Sequence, residues 1–374
     1  MSAVRLKPLH QQVILITGAS SGIGLVTARM AAEAGAKVIL VSRNEGALSQ
    51  ISSEINGAGG DSIFAVADVA DVGALTTAAE AAVNKYGRID TWVNDAGASI
   101  FGKIEDVNVE DDRRLFETNF WGVVNGSRLA AQYLKEGGAL INLGSIVSDR
   151  AVPLQGMYSA SKHAVLGFTD AFRMEIEEAK LPISVTLIKP AAIDTPFAQH
   201  AKSYLGVEPT LPPPVYAPEL VAHQILHAAT HPVRELYVGG GGKLLATLGN
   251  LFPGFMDWYM EKAMFKQQTS DRPLSEEESL HESRARATAT GNVEQDRMIR
   301  THSAYNFYQR NSGLLLTIVT AAVGALAAYW VLRPMLEKSK TQQLKEELLA
   351  QASRVSGQFK ERAKEFFESA SHLR

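Results

Sequence analysis

The stretch "VILITGASSGIGLVTARMAAEAG", residues 13 to 35, decides the fold. It opens as a β-branched run, "VILIT" (13–17), passes through the glycine turn "TGASSGIG" (Thr17 to Gly24) and continues as an Ala-rich helical pattern. Glycine lets the backbone turn with positive φ and approach a ligand closely, and the free N–H groups of a new helix suit an anionic pyrophosphate. The spacing here is G-x-x-x-G-x-G, not the G-x-G-x-x-G of the usual dinucleotide fingerprint. An ordinary glycine-rich turn between a strand and a helix is the plainer alternative.

Outward from that turn the same alternation repeats. Short apolar runs, "KVILV" (37–41), "SIFAVAD" (62–68), "DTWVNDAG" (90–97), "ALINLGS" (139–145), "ISVTLIKP" (183–190) and "LYVGG" (236–240), are separated by Ala-rich helical stretches. That is the signature of an α/β chain, a Rossmann-type doubly wound parallel sheet whose strands read as continuous apolar runs because helices cover both faces. A single catalytic domain is expected over residues 1–265, with a C-terminal helical extension. Residues 266–310 are polar and mixed in charge, and read as a linker or solvated helices that bury little. Within 311–333 the run "GLLLTIVTAAVGALAAYWVL", Gly313 to Leu332, has twenty residues without a charge and reads as a transmembrane helix. A core helix or a close-packed oligomer contact through its small residues is the competing reading. The charged tail 334–374 keeps a three-four spacing at Leu348, Ala352, Val355, Phe359, Phe366, Ala370 and Leu373, the pattern of an amphipathic helix.

Composition removes several classes of function. The 374 residues carry a net formal charge of -3 and no Lys/Arg-rich block, so no nucleic-acid partner is expected. With no cysteine there are no disulfides, no thiolate catalysis and no Cys-ligated metal, and the nine histidines form no H-E-x-x-H pair, so no metal site is expected. The start, "MSAVRLKPLHQQ", has no apolar core of a secretory signal, which places the first part of the chain in the cytosol.

The chemistry resides in "YSASK", Tyr158 to Lys162. Phe168, Phe172 and Ile176 keep near-helical register after it and no proline occurs until Pro182, so both side chains lie on one face of one helix. Together with the glycine turn, "ADV" (67–69), "NDAG" (94–97), "TNFWGVV" around Asn119, "INLGS" ending at Ser145, and "KPAAIDTPF", the chain resembles the short-chain dehydrogenase/reductase family over roughly residues 10 to 240. Two departures stand out: Asp95 replaces the second Asn of the family's Asn-Asn-Ala-Gly, and Ala191 stands where glycine is usual. The resemblance implies Asn119, Ser145, Tyr158 and Lys162 as catalytic residues, with Ser145 and Tyr158 thirteen apart as the family has them. It implies cofactor contacts from Gly18, Ser20, Ser21, Gly22, Ile23 and Gly24 of the turn. Asp68 and Val69 would border the adenine, with Asn94, Ala96 and Gly97 beside them, and Pro190, Ile193 and Thr195 would meet the nicotinamide end. Tyr158 and Lys162 join both sets, Lys162 gripping the nicotinamide ribose and Asn119 anchoring a water relay.

A free phenol loses its proton near pH 10, so a neighbouring cation, Lys162, is expected to favour the phenolate. Tyr158 then exchanges a proton with the substrate oxygen while Ser145 holds it. Cofactor choice turns on "VILVSRN", where Ser42 and Arg43 occupy the place of the acidic residue that binds the NAD ribose. Arg43 can pair with a 2′-phosphate, so NADP(H) is expected. The expected activity is hydride transfer between NADP(H) and a carbonyl or secondary alcohol of a lipophilic small molecule. A membrane-tethered nucleotide sensor without turnover and a 3-oxoacyl thioester reductase are alternatives, and a serine hydrolase is disfavoured because Ser145 lacks the G-x-S-x-G elbow. Residues 197–219 read as a variable lid, and the apolar stretch 244–265 as a pocket wall, a lipid contact, core or a subunit contact. A homo-oligomer, anchored by the C-terminal helix with its catalytic domain on the cytosolic side of a membrane, completes the expectation.

Overall fold

The computed structural model describes residues 4–283, 286–291, 299–307, 309–310, 349–358, 360–362 and 364. Twelve strands run in chain order through these residues. The first six are β1 (Val13–Thr17), β2 (Lys37–Ser42), β3 (Asp61–Val66), β4 (Thr91–Asn94), β5 (Ile100–Phe101) and β6 (Gly138–Leu143). After them come β7 (Ile183–Pro190), β8 (Ala192–Ile193), β9 (Lys202–Ser203), β10 (Val215–Tyr216), β11 (Glu235–Val238) and β12 (Ile299–Arg300). The helices are α1 (Gly22–Glu33), α2 (Glu45–Gly57), α3 (Val72–Tyr86), α4 (Val109–Phe116), α5 (Gly122–Tyr133), α6 (Gly156–Glu178), α7 (Pro218–Thr230), α8 (Gly240–Leu251) and α9 (Pro253–Gln267).

Seven strands form one parallel sheet in the order β11-β7-β6-β4-β1-β2-β3. The doubly wound architecture expected from the alternating runs is therefore present. Parity within β1 shows why its run is apolar throughout. Ile14 and Ile16 pack with Leu25 and Ala28 of α1 and Ile225 of α7 on one face. Val13 and Leu15 pack with Leu75 and Ala78 of α3 and Leu129 of α5 on the other. β1 has β2 on one side and β4 on the other, so the strand order reverses there, and the crevice beyond the carboxyl ends of β1 and β4 is where such sheets bind ligands.

Local chemistry sets the element ends. Asn44 caps α2 by accepting from Ala47 N–H, and Asp71 caps α3 by accepting from Gly73 and Ala74. Gly87, at φ 80°, ends α3 in the left-handed region that favours glycine. β4 stops at Asn94, short of the apolar run, because the N–H groups of Asp95 and Ala96 turn to the Thr17 hydroxyl instead of a neighbouring strand.

Residues 1–310 form one compact unit and 311–374 a second. The expectation that 266–310 buries little does not hold: Gln268 and Leu280 are fully buried, and β12 extends a small sheet by pairing with β10. Some of its polar side chains meet specific partners, Arg272 with Glu208 at 2.8 Å and His281 with Asp111 at 2.7 Å, so a polar composition still packs. Helices α8 and α9 bury Met256, Met260 and Met264 against Val152, yet leave Leu251, Phe252, Phe255 and Trp258 exposed. In the second unit, residues 349–358, 360–362 and 364 are helical. The charge-free run 313–332 lies outside the described residues, and among the described ones no helix is long and apolar enough to cross a membrane.

Candidate active site

A cavity of about 280 Å³ opens at the crevice beyond β1 and β4. The glycine turn forms its floor. Gly18 has φ 74°, and a Cβ there would lie 2.8 Å from the Ala96 backbone nitrogen. Gly24 is tighter still, with its would-be Cβ 2.4 Å from Gly18 O and 2.8 Å from the Asp95 carboxylate. Gly24 thus serves the turn from beneath and does not line the cavity, whereas Gly18, Ser20, Ser21, Gly22 and Ile23 do. Ser21, the N-cap residue of α1, makes no side-chain bond to the helix, so the positive end of α1 faces the cavity without an internal cap.

Tyr158, Ser145 and Lys162 all line this cavity. The phenol of Tyr158 is hydrogen-bonded to Ser145, and its ring meets Phe197 edge-on at 5.4 Å. Ser145 begins a short 3₁₀ turn after β6, where its hydroxyl accepts from Val147 N–H at 3.3 Å and lies 3.5 Å from Pro190 O. Lys162, one helical turn on, donates from Nζ to Leu143 O at 2.8 Å and stands 5.9 Å from the Tyr158 ring centre.

Burial pushes the Tyr158 phenol up to about 12, against a smaller lowering by the Ser145 hydrogen bond, and Asp95 adds to the rise. The expected depression by Lys162 is therefore not what the site displays: desolvation dominates, and the phenol keeps its proton at neutral pH. Burial brings Lys162 down to about 8, while Asp95 pulls it back up. Asp95 is itself raised to about 7 by burial, opposed by Lys162 and by the Gly24 N–H. The sequence marked Asp95 only as a departure from a motif; its position beside the lysine makes it part of the charge balance.

Asn119 does not reach the cavity surface. It sits in the π-turn between α4 and α5, fully buried, accepting from Ala98 N–H at 2.8 Å and donating to Ala98 O at 3.0 Å and Ser161 Oγ at 3.1 Å. A Cβ on Gly97 would lie 3.5 Å from Asn119 Oδ1 and 3.9 Å from Lys162 Nζ, ordinary contact distances that place this residue between the two groups. Asn94 is also withdrawn. Its amide donates to Asn142 Oδ1 at 2.9 Å and accepts from Trp92 Nε1 at 2.8 Å, in a buried network that extends from Asn142 to Thr169 of α6. Ala96 and Gly97 line the cavity where Asn94 does not.

At the far end the cavity is bounded by Ser42, Arg43, Asp68 and Val69. Asp68 forms a salt bridge with Arg114. Arg43 donates to three backbone carbonyls, those of Ser279, Leu280 and His281, contacts that nothing in the sequence pattern signalled. Pro190, Ile193 and Thr195 line the other end, and a Cβ on Gly22 would lie 3.1 Å from that of Thr195. Ala191 is accommodated without strain: among the described residues the non-glycine positions with positive φ are Leu154 and Lys180.

A parallel sheet with its ligand crevice at the strand reversal, a glycine turn feeding a helix, and a Tyr/Lys pair one turn apart define an oxidoreductase site acting on CH–OH or C=O groups. The chain belongs to the short-chain dehydrogenase family, whose profile, described as short chain dehydrogenase, matches residues 12–205. Among its relatives is the uncharacterized oxidoreductase YxnA of Bacillus subtilis (strain 168), 49% identical over 285 residues, 75% of this chain and 80% of that protein. The dehydrogenase/reductase SDR family member 7B of Mus musculus is 36% identical over 199 residues, 52% of this chain and 61% of that protein. A 3-ketodihydrosphingosine reductase of Bacteroides thetaiotaomicron is 36% identical over 194 residues, 51% of this chain and 68% of that protein.

Proposed function

We propose that this chain is an NADP(H)-dependent reductase of lipophilic ketones, able to run in reverse on the secondary alcohol. The observation that carries the reading is the hydrogen-bonded Tyr158–Ser145 pair facing the cavity, with Lys162 behind it. A phenol held near 12 is protonated at neutral pH, which suits it to act as the acid in the reductive direction. Ser145 donates to the carbonyl oxygen as negative charge grows there, and Tyr158 delivers its proton to the same oxygen. Lys162, cationic below about 8, stabilises the phenolate left behind. Reprotonation runs through water held near Asn119, which bolts the Gly97–Ala98 loop to α6 through Ala98 and Ser161.

The residues present fit a dinucleotide. The start of α1, where Ser21 makes no side-chain bond to the helix, would hold the pyrophosphate, Lys162 the nicotinamide ribose, and Ile193 and Thr195 the ring, which would supply hydride when bound. Arg43 at the end of β2 would select the 2′-phosphate by exchanging the carbonyls of Ser279, Leu280 and His281 for it, a charged hydrogen bond worth about 1.5–3 kcal/mol. Support for a lipophilic substrate comes from the apolar wall of α8 and α9, which packs on Val152 at the cavity, and from the relative named as a reductase of 3-ketodihydrosphingosine. The exposed aromatic side chains of the same hairpin and the charge-free run 313–332 suit attachment to a membrane, with the catalytic unit on the cytosolic side and two or more copies assembled.

The test is turnover of the purified full chain on a panel of long-chain ketones and 3-oxoacyl thioesters with NADPH and with NADH. Consumption of NADPH with a long-chain ketone is expected. Equal kcat/KM for the two cofactors removes the assignment of Arg43, and absence of turnover across the panel removes the substrate class.

A further inference from the structure

Two buried polar side chains line the cavity and have no part in the proton path, Gln155 and Ser99. Gln155 is 6% exposed and Ser99 2%, and Gln155 Nε2 donates to Ser99 Oγ at 3.0 Å. That one bond does not satisfy the pair. A primary amide carries two N–H donors and a carbonyl acceptor, and a hydroxyl can donate as well as accept. Among the described residues nothing donates to Gln155 Oε1 and nothing accepts from the Ser99 hydroxyl.

The backbone holds both groups in place. Leu154 has φ 64°, a conformation that a bulky side chain rarely adopts, and its carbonyl is held by the Gly102 N–H at 2.9 Å. Gln155 itself forms an isolated parallel bridge with Gly102. It stands at the N-cap of α6 without capping the helix, because its side chain turns to Ser99 instead. On the other wall, Ala98 is clamped by Asn119, and Ser99 O accepts from the Lys202 N–H at 3.1 Å. A strained residue fixed this firmly beside a reactive group is a mark of function.

The position and charge of the pair limit what it can meet. Gln155 comes three residues before Tyr158, and side chains so spaced on a helix start about 5–6 Å apart, the length of a few carbon–carbon bonds. The charged groups lie elsewhere, Arg43 and Asp68 at the far end of the cavity and Asp95 and Lys162 behind Tyr158. Burial lowers His200, also on the wall, with Glu277 opposing, so that imidazole is neutral too. Ile146, Val147, Val152 and Phe197 supply apolar surface around the pair.

We propose that Gln155 and Ser99 select ketones that carry a second, uncharged oxygen, a hydroxyl or a carbonyl, a few carbons from the one that is reduced. The proposal rests on the reductase reading of this site and names its substrate more narrowly. The second oxygen accepts from the Ser99 hydroxyl or the spare Gln155 N–H, and a hydroxyl also donates to Gln155 Oε1. A plain ketone leaves these groups unpaired once it has displaced water, so the pair discriminates chiefly by rejection.

The experiment measures kcat/KM with NADPH on the full chain for ketones of equal length: one plain, the others with a hydroxyl, a second carbonyl or a carboxylate on the β carbon. The unmodified protein should favour the hydroxyl or the carbonyl compound over the plain ketone by about tenfold, as one or two neutral hydrogen bonds allow; the better of the two names the oxygen. In Gln155→Leu and in Ser99→Ala that preference should fall toward one. Ser99→Ala removes a single atom and keeps the test decisive where Gln155→Leu does not fold. Equal kcat/KM for plain and oxygenated ketones in the unmodified protein overturns the proposal and leaves the reductase reading standing. A preference for the carboxylate overturns it as well. So does an equal loss on every ketone in both variants, which is what a purely structural tie would give. No turnover of any ketone overturns the reductase reading and this proposal together.

Discussion

Replacing Tyr158 by phenylalanine isolates chemistry from architecture, because the surroundings of the ring are kept. The ring is buried to 9% exposure and holds its edge contact with Phe197 through carbon atoms that phenylalanine shares. What is lost is one hydroxyl and its hydrogen bond to Ser145, about 0.5–1.5 kcal/mol of stability. Ser145 keeps Val147 N–H and Pro190 O as partners, so no buried group is orphaned. Thermal unfolding should therefore move by a few degrees at most. Cofactor affinity should stay within about threefold, since the ribose contact is assigned to Lys162. Turnover is another matter: a positioned general acid contributes about 10²–10⁴ in rate, or about 2.7–5.5 kcal/mol in the barrier. The assay is loss of NADPH absorbance at saturating ketone, with cofactor binding measured on the same preparation by fluorescence. A kcat within about fivefold of the unmodified enzyme, with binding intact, would refute the assignment of Tyr158 as the proton donor.

Three further outcomes follow from the same geometry. Gly24→Ala forces a methyl to within 2.4 Å of Gly18 O, a backbone atom that cannot swing away, so it should cost about 1–3 kcal/mol in urea unfolding and weaken NADPH binding sharply; normal binding would contradict the packing of that turn. Asp95→Asn removes the charge that raises both Lys162 and Tyr158, so Lys162 should lose its proton below about 8 and the alkaline limb of the kcat/KM profile should move to lower pH; a limb that stays in place would mean Asp95 carries no influence on the lysine. Fractionation after a high-salt wash should leave a chain ending before Asn311 in the supernatant while the full chain needs detergent, and both chains staying soluble without detergent removes the membrane assignment.

The parts of this fold that depend on side-chain pattern were readable in the sequence. The run 13–17 reads as a strand from its β-branched residues, and the glycine turn from its spacing, because steric needs at Gly18 and Gly24 leave a mark on residue type. Interactions made by backbone carbonyls leave no such mark. Arg43 meets three of them, and a carbonyl is the same whatever residue carries it, so the segment's polar composition gives a false impression of a solvated linker. The premature end of β4 is hidden for a similar reason, since it depends on Thr17 capturing two N–H groups across the sheet. The charge state of Tyr158 is not legible from spacing alone, because the spacing to Lys162 says nothing of how much water the fold removes.

The buried amides of Asn94 and Asn142 have a consequence for how the chain finds its structure. They are direct partners in the β4–β6 ladder and bond to each other, and Asn142 continues to Thr169 two helical turns beyond Lys162. Their neighbours in each strand are Val93 and Ile141, so sliding either strand by one position would oppose an amide to a hydrocarbon and strand two polar groups in the interior. Apolar strands of this kind tolerate many near-equivalent alignments; this pair admits one. A chain with leucine at both positions could stay compact and yet settle into several registers, with the helix that carries Tyr158 and Lys162 displaced in each wrong one. The pair is thus a proofreading device for assembly, and its loss should appear as heterogeneity in the native state before it appears as lost stability.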